Sequence, residues 1–148
     1  GVLFCGTGII CTAQTISSAL ALYATALDVQ TGTSTDKIIT PSVLWPTETT
    51  TTYGTTTTFD FQTFKNTSVT LTGDITTQTL SNVVPGKAGM ISFIQDGSGG
   101  HVTVWNSIFK FSGGAAPTLT GTAGAVDILS YSCRSATFCA ASLLTDVK

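Results

Sequence analysis

Hydrophobic and polar positions alternate along most of the second half of the chain. Phe59 and Phe61 in FDFQTFKNT, Val69 and Leu71 in SVTLTGD, and Val102 and Val104 in HVTVW each stand between polar neighbours. Period two is what a strand with one buried face requires, so each run predicts a strand with those apolar residues turned inward. AVDILSYSC and TFCAASLL are more continuously apolar, as strands in the middle of a sheet are. Turn chemistry separates the runs at Gly73-Asp74, Pro85-Gly86, DGSGG from Asp96 to Gly100, Gly113-Gly114, and between Gly121 and Gly124. About eight short strands with regular turns predict a β-sandwich or jelly-roll-like domain over residues 59–148. No repeat of 20 to 50 residues shows in the sequence.

The first half follows other periods. Val2, Leu3 and Phe4, then Ile9 and Ile10, flank a Gly-Thr-Gly turn, the pattern of an extended docking segment. Ile16, Leu20, Tyr23 and Leu27 fall at spacings of four, three and four, one stripe of a short helix. That stripe fits a helix lying on its own domain and equally one packing against copies of itself. Thr40 before Pro41 suits an N-cap followed by proline in a first helical turn, and Pro46 limits it. Residues 1–45 thus read as an N-terminal docking segment, and the fold class as mainly β behind a short helical and extended anchor. Between the halves lies PTETTTTYGTTTTFDF. Threonine favours extended backbone and Pro46 stands alone, so residues 46–58 are expected to form an extended connector turning at Tyr53-Gly54.

Composition sharpens this picture. Charged residues are 9% of the 148, against roughly 25% in an average soluble protein, and mean hydropathy is +0.36. A surface so poor in charge is expected to be covered by partners, which marks an assembly subunit. Six Lys and Arg against eight Asp and Glu, a net charge of −2, leave no basic footprint for nucleic acid. No charged residue precedes Asp28, but Gly6, Gly8, Thr12, Gln14, Thr15, Ser17 and Ser18 interrupt the apolar run too often for a membrane span or signal peptide. That segment is expected to be buried against protein.

Candidate chemistry is sparse. Cys5 and Cys11, then Cys133 and Cys139, lack the spacing of a zinc knuckle and are expected as buried thiols, with disulfides the alternative. A hydrolase would have to be built on His101, the single histidine, with Ser98, Asp96 and Asp127 as partners, and a triad is defined by geometry that sequence does not supply. DGSGG lacks the further acidic ligands of a calcium loop, and no phosphate-binding glycine motif occurs. Asn66-Thr67-Ser68 fits the N-glycosylation pattern, which matters only in a secretory pathway. Trp45, Trp105, Phe109 and Phe111 are expected in the core, with a sugar-binding surface the alternative. No catalytic, cofactor or metal site is expected.

Two stretches resemble bacteriophage virion surface proteins, those of tail fibres, head fibres and capsid decorations. In ATALDVQTGTSTDKIITPSVL, Gly32, Asp36, Lys37, Thr40, Pro41 and Leu44 match a segment recurrent in phage tail fibres, with Ile39 where valine is usual. From VTLTGD to the C-terminal lysine, Gly86 and Gly89, then Gln95, Asp96 and Gly97, Val102 and Thr103, Gly113 and Gly114, Pro117 and Leu119, and Ala125, Val126, Asp127 and Ser130 follow in order the pattern of a C-terminal fibre domain. The resemblance implies a non-enzymatic virion component on the particle surface, assembled in the infected bacterial cytoplasm, a homotrimer whose partners are other capsid or tail proteins. A receptor-binding tip recognising host surface polysaccharide is the alternative it carries. The four cysteines and the absence of a long shaft depart from that pattern.

Overall fold

The computed structural model describes residues 46–148 and, ahead of them, residues 23–25, 28, 29, 38 and 44. The chain divides into two units, Gly1–Pro46 and Thr47–Lys148. In the first, Tyr23 forms an isolated parallel bridge with Ile38, where a helical position was expected. Helical geometry follows it: Thr25 and Asp28 make reciprocal bonds, Thr25 N to Asp28 Oδ2 at 2.8 Å and Asp28 N to Thr25 Oγ1 at 3.2 Å. This is a capping box, which satisfies backbone donors that the first helical turn leaves without partners. Leu44 is helical, while Thr40 and Pro41 lie outside the described residues.

The second unit is mainly β, with strands β1 (Thr49–Thr50), β2 (Thr56–Asp60), β3 (Asn66–Leu71), β4 (Thr77–Ser81), β5 (Ala88–Gln95), β6 (Phe109–Phe111), β7 (Val126–Ser135) and β8 (Phe138–Leu144). They form a six-stranded sheet in the order β1-β3-β5-β7-β8-β6 and a two-stranded sheet, β2-β4. The pairs β1–β3, β3–β5, β2–β4 and β6–β8 are parallel; β5–β7 and β7–β8 are antiparallel. A jelly roll pairs its strands antiparallel, so the mixed pairing is a difference from that expectation.

Its origin is how the chain alternates between the sheets. From β1 to β5 successive strands fall in one sheet and then the other, so that Thr49 lies beside Thr67, Thr56 beside Thr77, Asn66 beside Met90 and Ile75 beside Thr103. Strands brought together in this way run in the same direction and need a long connection, which here is a strand of the opposite sheet.

The threonine stretch belongs to this unit. Thr51 N donates to Ser68 O at 2.7 Å and the Thr51 and Thr67 hydroxyls bond at 2.8 Å, so β1 extends the large sheet. The turn expected at Tyr53-Gly54 is held by Thr57, whose hydroxyl donates to Gly54 O at 2.7 Å. Residues 46–58 therefore carry β1 and the start of β2, which pair with β3 and β4 of the same chain.

Both sheets contribute to one core. Phe59, Phe61 and Phe64 pack edge-on or tilted against one another and against Phe93 and Tyr131. Phe109 is buried, and Trp105 and Phe111 pack against this cluster with the Trp105 indole N–H donating to Pro117 O at 2.6 Å. HVTVW is turned the other way from its expected side. Val102 and Val104 are 51% and 58% exposed, while Thr103 and Trp105 face in. Period two leaves the choice of face to packing. Indole buries more area than valine, and buried Gln78 needs the Thr103 hydroxyl, which its amide reaches at 2.8 Å.

Cys133 and Cys139 are buried as expected but are joined by a disulfide. The β7–β8 hairpin sets them directly opposite each other, where facing Cβ atoms come within bonding reach of their sulfurs. Closing so short a loop restricts the unfolded chain by about 2 kcal/mol. Cys5 and Cys11 lie outside the described residues.

Candidate interaction surface and buried polar sites

Strand alternation determines what the large sheet presents on its outer side. Register aligns Thr50, Ser68, Ser92, Ile128 and Leu144 in one row, Asn66, Met90, Ser130 and Ser142 in a second, and Thr70, Ile94 and Val126 in a third. Their inward neighbours Val69, Leu71, Ile91, Phe93 and Leu129 are fully or almost fully buried. Ile94, Val126, Ile128 and Leu144 are contiguous on β5, β7 and β8, and Leu144 is 62% exposed. No charged side chain lies within those three rows. Charge reaches the face from neighbouring residues: Glu48, just before β1, accepts from the Ser92 hydroxyl on β5 at 3.1 Å, and Lys110 stands on β6. On the outward side of the smaller sheet Thr56 lies beside Thr77 and Thr58 beside Thr79, all four exposed, and Asp60 beside Ser81 ends the pair.

His101 has one acidic partner. Its Nε2 lies 3.1 Å from Asp96 Oδ1, but that oxygen also accepts from Ser98 N at 2.8 Å and Gly99 N at 3.0 Å, closing the DGSGG turn. The Ser98 backbone bond first, then that of Gly99, hold the Asp96 carboxyl below its usual range, with His101 helping and burial opposing. Buried Gln95 clamps the other side of the turn, donating to His101 O at 2.8 Å and accepting from His101 N at 3.1 Å. This is the bonding of a folded turn. Asp127, the other acidic candidate, is elsewhere: buried on β7, it accepts from Thr120 N at 2.6 Å and Asp146 N at 2.7 Å. Among the described residues no group of three or more His, Cys, Asp and Glu could hold a metal ion, and no helix is long and apolar enough to cross a membrane.

Lys87 was not singled out in the sequence. Its ammonium lies 5.9 Å from the Phe61 ring centre and 5.4 Å from that of Phe64, and donates to Phe61 O. Burial pulls its pKa down to about 8, with the Asp60 carboxylate pulling the other way. The sign of the linkage follows. Between pH 8 and the ordinary lysine value of about 10.4, the unfolded chain holds the proton that the folded chain has released, so stability rises with pH. Tyr131, whose hydroxyl donates to Lys65 O at 2.9 Å, acts oppositely: burial pushes its phenol up, so stability falls once the unfolded tyrosine ionises above about pH 10. Urea unfolding from pH 7 to 11 is expected to show a gain of about 1 kcal/mol by pH 9.5, discounted for solvent screening, followed by a decline. In Lys87→Met the gain should vanish and the decline remain; an unchanged rise would assign it to another group.

Of the docking and self-association residues expected from the sequence, Tyr23 alone is described, 54% exposed in its bridge to Ile38. Val2, Leu3, Phe4, Ile9, Ile10, Ile16, Leu20 and Leu27 lie outside the described residues, as does Trp45. The other three aromatic residues considered for sugar binding, Trp105, Phe109 and Phe111, are packed together in or against the core. Compared with known proteins, the chain matches no family model, no curated protein and no solved structure.

Proposed function

We propose that the chain is a structural protein of a bacteriophage particle, a short fibre or capsid decoration protein. Its N-terminal region docks on the capsid or tail, and its β unit, two sheets packed as a sandwich, is displayed on the virion surface as part of a homotrimer. The observation that carries this reading is the outer side of the six-stranded sheet, three rows of Ser, Thr, Asn and apolar residues none of which is itself charged. A free-standing domain keeps such a surface charged for solubility; an assembly subunit covers it. The two-unit division of the chain and the sequence resemblance to phage surface proteins support the same reading. A glycan-binding tip is less favoured, because stacking on sugars requires ring faces that Trp105, Phe109 and Phe111 spend on one another.

The docking half is tested in particles. Phe4→Asp combined with Ile9→Asp and Ile10→Asp should remove the protein from purified virions while the purified variant keeps the wild-type circular dichroism. Normal incorporation would falsify the docking role of these residues.

A further inference from the structure

We infer that the Cys133–Cys139 bridge is a late lock: the β unit folds with both thiols reduced and buried, and the bridge closes afterwards by exchange with a small-molecule disulfide, admitted when the tip of the β7–β8 hairpin opens. The timing rests on the virion reading and deepens it. A subunit assembled inside a bacterium meets a cytoplasm that keeps thiols reduced, whereas a released particle does not.

Three observations carry the inference. The first is that the fold places both cysteines without help from sulfur. β7 and β8 pair from Ile128 with Leu144 to Ser135 with Phe138, and this register sets Cys133 against Cys139. Cys133 N donates to Lys87 O at 2.8 Å and its carbonyl accepts from Gly86 N at 2.7 Å; Cys139 N donates to Ile108 O at 2.9 Å, and Cys139 pairs with Phe109 on β6. All of these contacts are backbone bonds, and a buried thiol packs as a small hydrophobe.

The second is burial. Cys133 is 2% and Cys139 0% exposed, in the same core cluster as Phe109 and Tyr131, so the closed fold keeps a dissolved reagent from either sulfur. The third is position. One pair, Ser135 with Phe138, separates the cysteines from the turn, where Ala136 and Thr137 are exposed. Fraying of that pair is a local opening, far smaller than unfolding of the sheet, and it brings the sulfurs to solvent. Arg134 opposes it, with its guanidinium 4.6 Å from the Phe138 ring centre.

Exchange proceeds in two steps. One cysteine thiolate attacks the reagent disulfide, forming a mixed disulfide and releasing one small thiol; the second thiolate attacks the protein sulfur of that mixed disulfide, closing the bridge and releasing the other small thiol. The cysteines lose two electrons, the reagent gains them, and the two thiol protons leave on the released thiols.

The test begins with the full chain, reduced in urea and then freed of urea in the presence of reductant. It should regain the circular dichroism of the bridged protein, with a folded-to-unfolded ratio about thirtyfold lower. Oxidised glutathione is then added, and mass mapping of the alkylated peptides follows Cys133 and Cys139 apart from Cys5 and Cys11. Closure should be at least about tenfold slower in the folded dithiol protein than in urea. Arg134→Ala should speed the folded reaction about threefold and leave the reaction in urea unchanged. In infected cells quenched with acid before lysis both cysteines should be thiols, and in purified particles they should be bridged. A dithiol chain that stays unfolded would make the bridge a condition of folding and overturn the lock. Equal rates with and without urea would overturn the opening step, and a bridge already closed in the quenched cells would overturn the timing. Absence of the chain from particles sinks the virion reading instead, while the experiments on purified protein still decide whether the bridge is a lock.

Discussion

Gly89→Ala is expected to destabilise the β unit by about 3–4 kcal/mol, enough to unfold much of it at 37 °C. Gly89 lies opposite Tyr131 in the β5–β7 pair. A Cβ built there would stand 2.0 Å from Lys65 O and 2.7 Å from the Tyr131 hydroxyl. Those two atoms are themselves hydrogen-bonded at 2.9 Å, so the methyl group would enter an occupied polar contact. Backbone at Lys65 can move only by shifting β3, which is paired with β5 along its length. Tyr131 can rotate away only by leaving Phe61 and Phe64, whose ring centres lie 5.1 and 6.5 Å from its own. Urea unfolding gives the magnitude, and a double-mutant cycle separates the two obstacles. Tyr131→Phe alone should cost about 1 kcal/mol for the lost hydrogen bond. In that background Gly89→Ala should become milder without becoming neutral, because the Lys65 carbonyl is still there. A cost below 1 kcal/mol in the wild-type background would show that the sheet yields at this point.

The same position shows how far the sequence could be read. Gly86 and Gly89 were visible as a recurrent glycine pair before an apolar strand, but their reasons are separate and neither is local. Gly86 has φ of +85°, a conformation glycine adopts without strain, and its N–H reaches Cys133 O at 2.7 Å on β7. Gly89 is needed for a side chain 42 residues further on. Strand existence was legible because alternation survives any topology: Phe59, Phe61, Val69 and Leu71 are all buried as their period demands. Strand direction was not. Parallel pairing depends on which strands the chain brings together, and offsets that grow from 18 residues between Thr49 and Thr67 to 24 between Asn66 and Met90 erase any fixed repeat. Val102 and Val104 mark the limit of periodicity, since alternation names two faces and only packing decides which is inner. The Cys133–Cys139 bridge depended on register in the same way. Lys87 gave no sequence pattern at all, because its setting is two rings from the segment between β2 and β3.

Asp127 is where a residue marked by its motif has a structural task of comparable weight. In A-V-D-x-x-S it is the only charged position, and on β7 it is 2% exposed. Its two oxygens divide between distant segments: Oδ2 takes Thr120 N at 2.6 Å from the loop before β7, and Oδ1 takes Asp146 N at 2.7 Å from the tail after β8. A carboxylate suits this place because it only accepts, and both neighbours only donate. Asp127→Ala removes two charge-assisted bonds and leaves two backbone N–H groups without their acceptor, an expected loss of about 3–5 kcal/mol. Asp127→Asn is the discriminating variant. Its carbonyl oxygen can serve one donor, while its amide N–H₂ must face the other, so about half of the loss should persist although the shape is kept. Hydrogen exchange locates the effect. The Thr120 and Asp146 amides should lose protection first in Asp127→Asn, ahead of β3 and β5, which are held to each other over six paired residues. Simultaneous loss across the whole sheet would make Asp127 a global core residue; full protection at both amides in the alanine variant would mean that solvent or another acceptor replaces it.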